Sequence, residues 1–244
     1  MDFELNEEQR MYRDAVRDFA QREIAPHAAE ADETGQLNWD AIKKMPSLGL
    51  TGMQVPEEYG GANLDTISVA LALEEIAKAC GSTALSIAAH NGLCAAAIAK
   101  WGTTAQKEKY LPELTSGERL GALALTEPDA GSDLNNLKTN AYRDNGHWVL
   151  NGQKAWITNP GHSPVVITLT RTDKDAGSRG FSMLLVDTDS EGMTIHPPEK
   201  KMGLNASCTQ QITYENVKIP LENAILGDEG RGFHQTMETL DSGR

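Results

Sequence analysis

Thr115-Ser-Gly-Glu-Arg-Leu-Gly-Ala-Leu-Ala-Leu-Thr-Glu-Pro-Asp-Ala-Gly-Ser-Asp133 is the stretch in which the texture of this 244-residue chain changes. Before it, apolar residues recur every three or four positions, the period of a helix with one buried face. From Gly121 onward the apolar runs shorten and alternate, with turn residues between them, as strands half-buried against a core require. The break separates a helical front from a strand-rich middle and predicts an α+β fold with the two kinds of element segregated.

Upstream of the break, Leu5-Asn-Glu-Glu-Gln9 opens a helix: Asn6 can accept a first-turn backbone N–H, and Gln9 can reach back to the cap. Met11, Tyr12, Ala15, Val16 and Phe19 follow as one apolar stripe. A weaker helix is expected over 39–48, in spite of Pro46. Val55-Pro-Glu-Glu-Tyr-Gly-Gly61 reads as a turn and Asp65 as the start of a third helix. A fourth, over 82–101, is apolar on nearly every face and should be buried all round. A fifth covers 104–114. Downstream, strands are expected at 123–125, 138–142, 147–150, 165–170, 181–186 and 209–214. Asn145-Gly146 and Asn151-Gly152 are dipeptides of the kind that favours tight hairpins. From Gly230 the pattern turns helical again, with Phe233, Met237 and Leu240 at helical spacing, and it stops at Arg244 without a Gly or Pro stop signal. The expected organisation is a helical domain over 1–117, an antiparallel β-barrel-like domain over 118–229, and over 230–244 the opening turns of a truncated helical domain.

Composition narrows the function. Apolar residues are 39% and charged residues 23%, which is ordinary globular usage. The net charge of −13 repels phosphate backbones and anionic lipids, so neither nucleic acid nor a membrane is expected as a partner. The apolar run 84–99 is interrupted by Ser86, His90 and Asn91 and reads as too short and too polar to span a bilayer. The acidic opening residues read as lacking a leader peptide. Cys80, Cys94 and Cys208 read as buried thiols of a reducing, cytoplasmic setting, not as disulfides or zinc ligands. His90 reads as a satisfied core histidine. The chain has no Gly-x-Gly-x-x-Gly, no Gly-Lys-Ser/Thr phosphate loop, no Gly-x-Ser-x-Gly and no His-Glu-x-x-His.

Two polar stretches remain. Leu125-Thr-Glu-Pro-Asp-Ala-Gly-Ser-Asp133 follows a strand directly, and its Ala130-Gly131-Ser132 offers N–H and hydroxyl donors to an anion such as a phosphate. Taken by itself, its composition favours the plainer reading, a β-turn closed by an Asx-type hydrogen bond. In Ala155-Trp-Ile-Thr-Asn159, strand alternation puts Trp156 and Thr158 on one face. A π-face beside a hydroxyl suits a flat heteroaromatic ring, and an ordinary amphipathic strand has the same pattern.

Taken together, Val55-Pro-Glu-Glu-Tyr-Gly-Gly61, the 125–133 stretch, Asn151-Gly-Gln-Lys-Ala-Trp-Ile-Thr-Asn159, Lys201-Met-Gly-Leu204, Glu222-Asn-Ala-Ile-Leu-Gly-Asp-Glu-Gly-Arg-Gly-Phe233 and Thr239-Leu-Asp-Ser-Gly-Arg244 resemble the acyl-CoA dehydrogenase family, in the family's order and spacing. The last motif is most similar to the short-chain, butyryl branch. The resemblance implies a helical N-terminal domain, a β-barrel-like middle domain, and a C-terminal four-helix domain of which only the first turns are present. It implies FAD as cofactor, with Leu123, Ala124, Leu125, Thr126, Glu127, Ala130, Gly131 and Ser132 on one side and Trp156, Ile157 and Thr158 on the other. Thr126 would meet the pyrimidine edge, Ser132 the pyrophosphate and the nearby acyl-CoA, and Thr158 would donate to N5. Asp241 and Arg244 match positions that contact the CoA portion of the substrate. Glu127 reads as structural within its motif.

The reaction the resemblance implies is α,β-dehydrogenation of a fatty acyl-CoA to the trans-2-enoyl-CoA, a step of fatty acid β-oxidation, with electrons passed to an electron-transferring flavoprotein and with a homo-oligomer as the assembled enzyme. The family's catalytic glutamate lies beyond Arg244 or, in the isovaleryl branch, at the position held here by Gly243, so this chain carries no candidate base. Pro160 departs from the family's small residue and stiffens the loop after Asn159. An acyl-CoA oxidase or flavin monooxygenase on the same scaffold, or a non-catalytic fragment, are the alternatives.

Overall fold

The computed structural model describes residues 4–243. Helix α1 (Glu7–Phe19) begins with the reciprocal cap that Asn6 and Gln9 predict: the Gln9 N–H donates to Asn6 Oδ1 at 2.8 Å and the Asn6 N–H to Gln9 Oε1 at 3.2 Å. The buried line of α1 is rotated from the expected stripe. Val16 and Phe19 are buried, whereas Met11 and Ala15 are exposed. The rotation follows from docking on α4 (Thr66–Ala79), where Gln9 bonds Asp65 and Arg17 bonds Glu75. Asp65 caps α4, accepting the Ile67 and Ser68 N–H groups at 2.9 and 3.1 Å. Between them lie α2 (Ala28–Thr34) and the single turn α3 (Trp39–Ile42). The helix expected over 39–48 is split, because Pro46 has no N–H to give and begins a separate 3-10 turn, Met45–Leu48.

The central helical run is α5 (Gly81–Ala88), a π-helical segment Ala89–Ala95 and α6 (Ala96–Trp101). The run is 21 residues long and its most apolar 18-residue window has a mean hydropathy of 1.2, so it is long and apolar enough to cross a membrane, contrary to the expectation for 84–99. Its most apolar window is 61% buried within the protein, as the core helix of a globular fold would be. Helix α7 (Thr104–Thr115) completes the helical half.

The middle is one curled sheet of seven strands: β1 (Ala122–Ala124), β2 (Asn140–Asp144), β3 (His147–Thr158), β4 (Val165–Arg171), β5 (Phe181–Asp187), β6 (Met193–Ile195) and β7 (Thr209–Pro220). The order is β1-β4-β2-β3-β7-β6, with β5 also paired to β4. The half-barrel is mixed. Most pairs are antiparallel, but β1 lies parallel to β4 and β2 makes one parallel pairing with β4. The excursion through β2 and β3 between β1 and β4 works as a crossover, which a hairpin cannot supply. Strand β6, three residues on an edge with Met193 and Ile195 half-buried and Thr194 exposed, has too little pattern to be read from sequence.

The two Asn-Gly dipeptides part company. Asn145 and Gly146, at φ 44° and 81°, turn the β2–β3 hairpin. Asn151 and Gly152 lie inside β3, at a register shift against β7. Gly152 has φ 144°, and a Cβ there would sit 2.5 Å from Thr139 Oγ1. The glycine serves a bulge and a close backbone approach, not a turn.

The core divides into a helical cluster around Ile42, Met53 and Ile76, a sheet cluster around Trp148, Ile212 and Tyr214, and a seam in which Cys94, Ile98 and Leu111 meet Leu123, Ile167 and Phe181. Cys80 and Cys94 are buried, while Cys208 is partly exposed. Helix α8 (Gly232–Gly243) lies over β5 and the π segment, with Phe233 and Phe181 rings 6.1 Å apart. Phe233, Met237 and Leu240 are only half-buried; the deeper line is Gln235, Thr236 and Thr239.

Candidate flavin site

At the seam, an open cleft of about 120 Å³ is lined by Ala89 and Leu93 of the π segment, Leu123, Leu125 and Thr126 at and after β1, and Trp156, Ile157 and Thr158 at the end of β3. The two polar stretches of the sequence therefore meet. They are joined directly by the Ala155 N–H, which donates to the Thr126 carbonyl at 2.8 Å. The cleft is smaller than a typical small-molecule pocket, so it cups part of a ligand and does not enclose one. A larger cavity, about 530 Å³, lies on the helical half among Glu23, His27, Asn38, Asp40 and Lys44, away from every motif residue of the cleft.

Plain strand alternation does not bring Trp156 to the cleft. The β3–β7 register shifts between Lys154 and Ile157, and Trp156 adopts φ 61°, a left-handed conformation rare for an aromatic residue. Its indole is turned outward and is 59% exposed, while Ile157 beneath it is buried. Among the described residues, neither the Thr126 nor the Thr158 hydroxyl has a hydrogen-bond partner within the chain. Both are free to bind something in the cleft.

Not every expected residue lines it. Ala124 is buried in the sheet core. Glu127 and Ala130 are buried and exchange backbone hydrogen bonds of 2.9 and 3.1 Å, closing the tight turn. Gly131 and Ser132 project to solvent beyond that turn, where a Cβ added at Gly131 would meet nothing within 4 Å. Asp241 is exposed on α8, and Arg244 lies outside the described residues.

Glu127 is a hub of the framework. Its carboxylate accepts from the Lys138 N–H at 2.6 Å, the Thr139 N–H at 3.0 Å and Lys154 Nζ at 3.0 Å. Burial on its own would raise its pKa; the Lys154 charge and these donors hold it below the usual carboxylate range. Burial pulls the Lys154 ammonium down, and Glu127 pulls it back.

The seam is pinned by two further polar side chains. His90 Nε2–H donates to the Thr51 carbonyl at 2.7 Å, a tautomer set by the Gly121 N–H, which donates to Nδ1 at 2.8 Å. Burial holds the His90 pKa down at about 4. Asn159, at φ 66°, donates from Nδ2 to the Ser86 carbonyl at 2.9 Å, tying β3 to α5. Pro160 is buried and starts the 3-10 turn Pro160–His162, so the loop after the cleft is continuous with it.

Sequence reading missed Ala89 and Leu93, because a π-helical turn leaves no periodic signature, although such turns concentrate at functional sites. It also passed over Lys154, visible only as the lysine inside the quoted Asn151-Gly-Gln-Lys motif.

The acyl-CoA dehydrogenase N-terminal domain matches residues 6–118, and the acyl-CoA dehydrogenase middle domain matches residues 122–217. The chain belongs to the acyl-CoA dehydrogenase family. A probable acyl-CoA dehydrogenase of Bacillus subtilis, YngJ, is 48% identical over all of this chain. A short-chain specific acyl-CoA dehydrogenase of Clostridium acetobutylicum is 42% identical over the same span. The structure of butyryl-CoA dehydrogenase from Megasphaera elsdenii superposes with a TM-score of 0.93 at 39% identity, covering 100% of this chain and 64% of that one. The chain spans 64% of the length of the two bacterial relatives.

Acyl-CoA dehydrogenases are FAD-dependent, and the cleft fits part of that group. It offers one wide aromatic face, apolar flanks from Ala89, Leu93, Leu123 and Leu125, and two unengaged hydroxyls. That donor set suits a ring with an apolar body and a polar edge.

Proposed function

We propose that this chain is the flavin-binding part of an enzyme that desaturates a short-chain acyl-CoA thioester at its α,β bond, giving the trans-2-enoyl-CoA and passing electrons to an electron-transferring flavoprotein. The observation that carries the reading is the junction of Thr126 with Trp156 and Thr158 in one cleft. When bound, FAD supplies the acceptor for the hydride that leaves the substrate β-carbon.

The chain's own residues bind and orient. Trp156 presents a flat surface, and the Thr126 and Thr158 hydroxyls would donate to the polar edge of a ring held against it. Donors fixed in advance stabilise the negative charge that develops there without reorganising during reaction. Ile157, Leu125 and the two π-segment residues exclude water from one side. Ser132, Asp241 and Arg244 would meet the pyrophosphate and CoA portions. Among the described residues, no carboxylate lines the cleft, and Glu127 is fully committed behind it. The base that takes the α-proton would thus come from the segment of the relatives' length that this chain does not span.

The test uses the protein carrying that segment, loaded with FAD and mixed anaerobically with butyryl-CoA. Loss of the flavin's visible absorbance is the expected result. No bleaching with any acyl-CoA would sink the assignment.

A further inference from the structure

A circuit of side chains lies directly behind the cleft, and no step proposed above uses it. Lys154 has no exposed surface. Its Nζ donates to the Leu125 carbonyl at 2.8 Å and to Glu127 Oε1 at 3.0 Å. The next residue, Ala155, holds the Thr126 carbonyl. Three consecutive residues of the first polar stretch, 125–127, are therefore fastened by two consecutive residues of β3. The circuit then closes on itself. Glu127 accepts the Lys138 and Thr139 N–H groups, and Thr139 Oγ1 donates back to the Gln153 carbonyl at 3.2 Å.

Lys154 also stands at the edge of the bulge that turns Trp156 out. A left-handed aromatic residue persists only where its neighbours over-determine it. On the far side the constraint is the renewed pairing of Ile157 with Gln210 and Thr158 with Thr209. On the near side it is the anchorage of Lys154 and Ala155. The pair's charges cancel, so its effect on a ligand in the cleft is geometric.

We propose that Lys154 and Glu127 are positioning residues for the flavin: they lock the Thr126 segment to the Trp156 bulge so that both halves of the cleft hold one ligand-ready geometry. The inference rests on the flavin reading of the cleft and concerns residues that do not line it. Without the lock, the Trp156 bulge relaxes and the Thr126 hydroxyl drifts relative to Thr158. A site held within a fraction of an ångström loses about tenfold or more when its support is removed.

On the protein carrying the segment that completes the relatives' length, the experiment measures FAD dissociation by flavin fluorescence, together with the position of the bound flavin's visible bands and the melting temperature of the apo protein. It compares wild type, Lys154→Met, the paired Lys154→Met/Glu127→Gln and a control, Glu75→Gln, whose carboxylate lies in the helical half. The paired variant leaves no unpaired buried ion and keeps the protein foldable if the single variant is not. The expected result is FAD binding weakened about tenfold or more with shifted flavin bands in the paired variant. Glu75→Gln lowers the melting temperature and leaves affinity and bands unchanged. Wild-type affinity and bands in the paired variant would overturn the positioning role while leaving the flavin assignment intact. Wild-type protein that takes up no FAD would overturn both.

Discussion

Two buried carboxylates, one in each half of the molecule, solve the same problem by different means. Glu75 in the helical half is 3% exposed, but its partners Arg17 and Lys78 are 44% and 50% exposed. Glu127 in the sheet half is 5% exposed and its partner Lys154 not at all. The first pair keeps its cations in water and gives up only the carboxylate's hydration. The second gives up the hydration of both ions and must recover it from four hydrogen bonds. A half-wet pair can lose a member and let the survivor return to solvent. A dry pair cannot, and so it can hold a geometry that solvent would otherwise loosen.

The largest test of the contrast is Lys154→Met, which strands Glu127 without its counter-ion. A loss of about 3–5 kcal/mol in urea unfolding is expected. The paired Lys154→Met/Glu127→Gln should recover part of it. If single and paired variants are equally destabilised, the two groups are not coupled and the contrast with Glu75 fails.

The seam between the halves gives the next effect. His90 is held neutral with a pKa of about 4, against an ordinary value of 6.5. A depressed histidine means that the unfolded chain takes up the proton first. His90 therefore costs nothing above about pH 6.5, and stability falls as the pH drops from there toward 4, by roughly 3 kcal/mol in all. His90→Gln should flatten that part of the profile of unfolding midpoint against pH. A slope that survives the substitution would assign it to other groups.

Glu75→Gln comes next, at about 1.5–3 kcal/mol near neutral pH, the worth of hydrogen bonds to a charged group. The Arg17 hydrogen bond, opposed by burial and aided by Lys78, holds the Glu75 carboxyl at about 2. A depressed carboxylate contributes fully above its unfolded value of 4.5 and loses that contribution as the pH falls toward 2. The difference between wild type and Glu75→Gln should therefore narrow between about pH 4.5 and 2, below most of the His90 window. A gap that stays constant down to pH 2 would mean that the carboxylate's charge is not what stabilises.

The smallest effect sharpens the scale. Asn6→Ala removes a cap on an exposed helix end and should cost about 1 kcal/mol by thermal unfolding. A cost equal to that of Lys154→Met would show that local capping, not dry pairing, sets the larger values.

Several elements were legible because their causes are adjacent in sequence. Asn6 and Gln9 act across three residues, and their cap is present as expected; Asp65, read as the start of the third helix, is found capping it through Ser68. The motifs from 55 to 233 carried the family without any coordinates. Where the reading slipped, the deciding atom lay far along the chain. Asn151-Gly152 has the composition of a hairpin, but Thr139 presses against Gly152 and β7 continues alongside, so the glycine serves a bulge. Met11 and Ala15 fit a helical stripe, but α4 docks on the face beside them. The run 82–101 reads correctly as a buried helix, but the polar residues that interrupt it make it read as too polar to span a bilayer, whereas it is long and apolar enough to do so. Within it, His90 spends both ring nitrogens on the backbone of Thr51 and Gly121, which lie 39 and 31 residues away.

The amino-acid order alone determined the segregation of helices from strands, the helix starts and the membership of the family, since period, caps and motif spacing are properties of neighbouring residues. Tertiary structure alone decided that Trp156 stands out in a left-handed bulge, that Ala89 and Leu93 share its cleft, and that Lys154 fastens the two polar stretches together. Each depends on contacts between segments far apart in the chain, whose geometry exists only after the sheet has closed on the central helix.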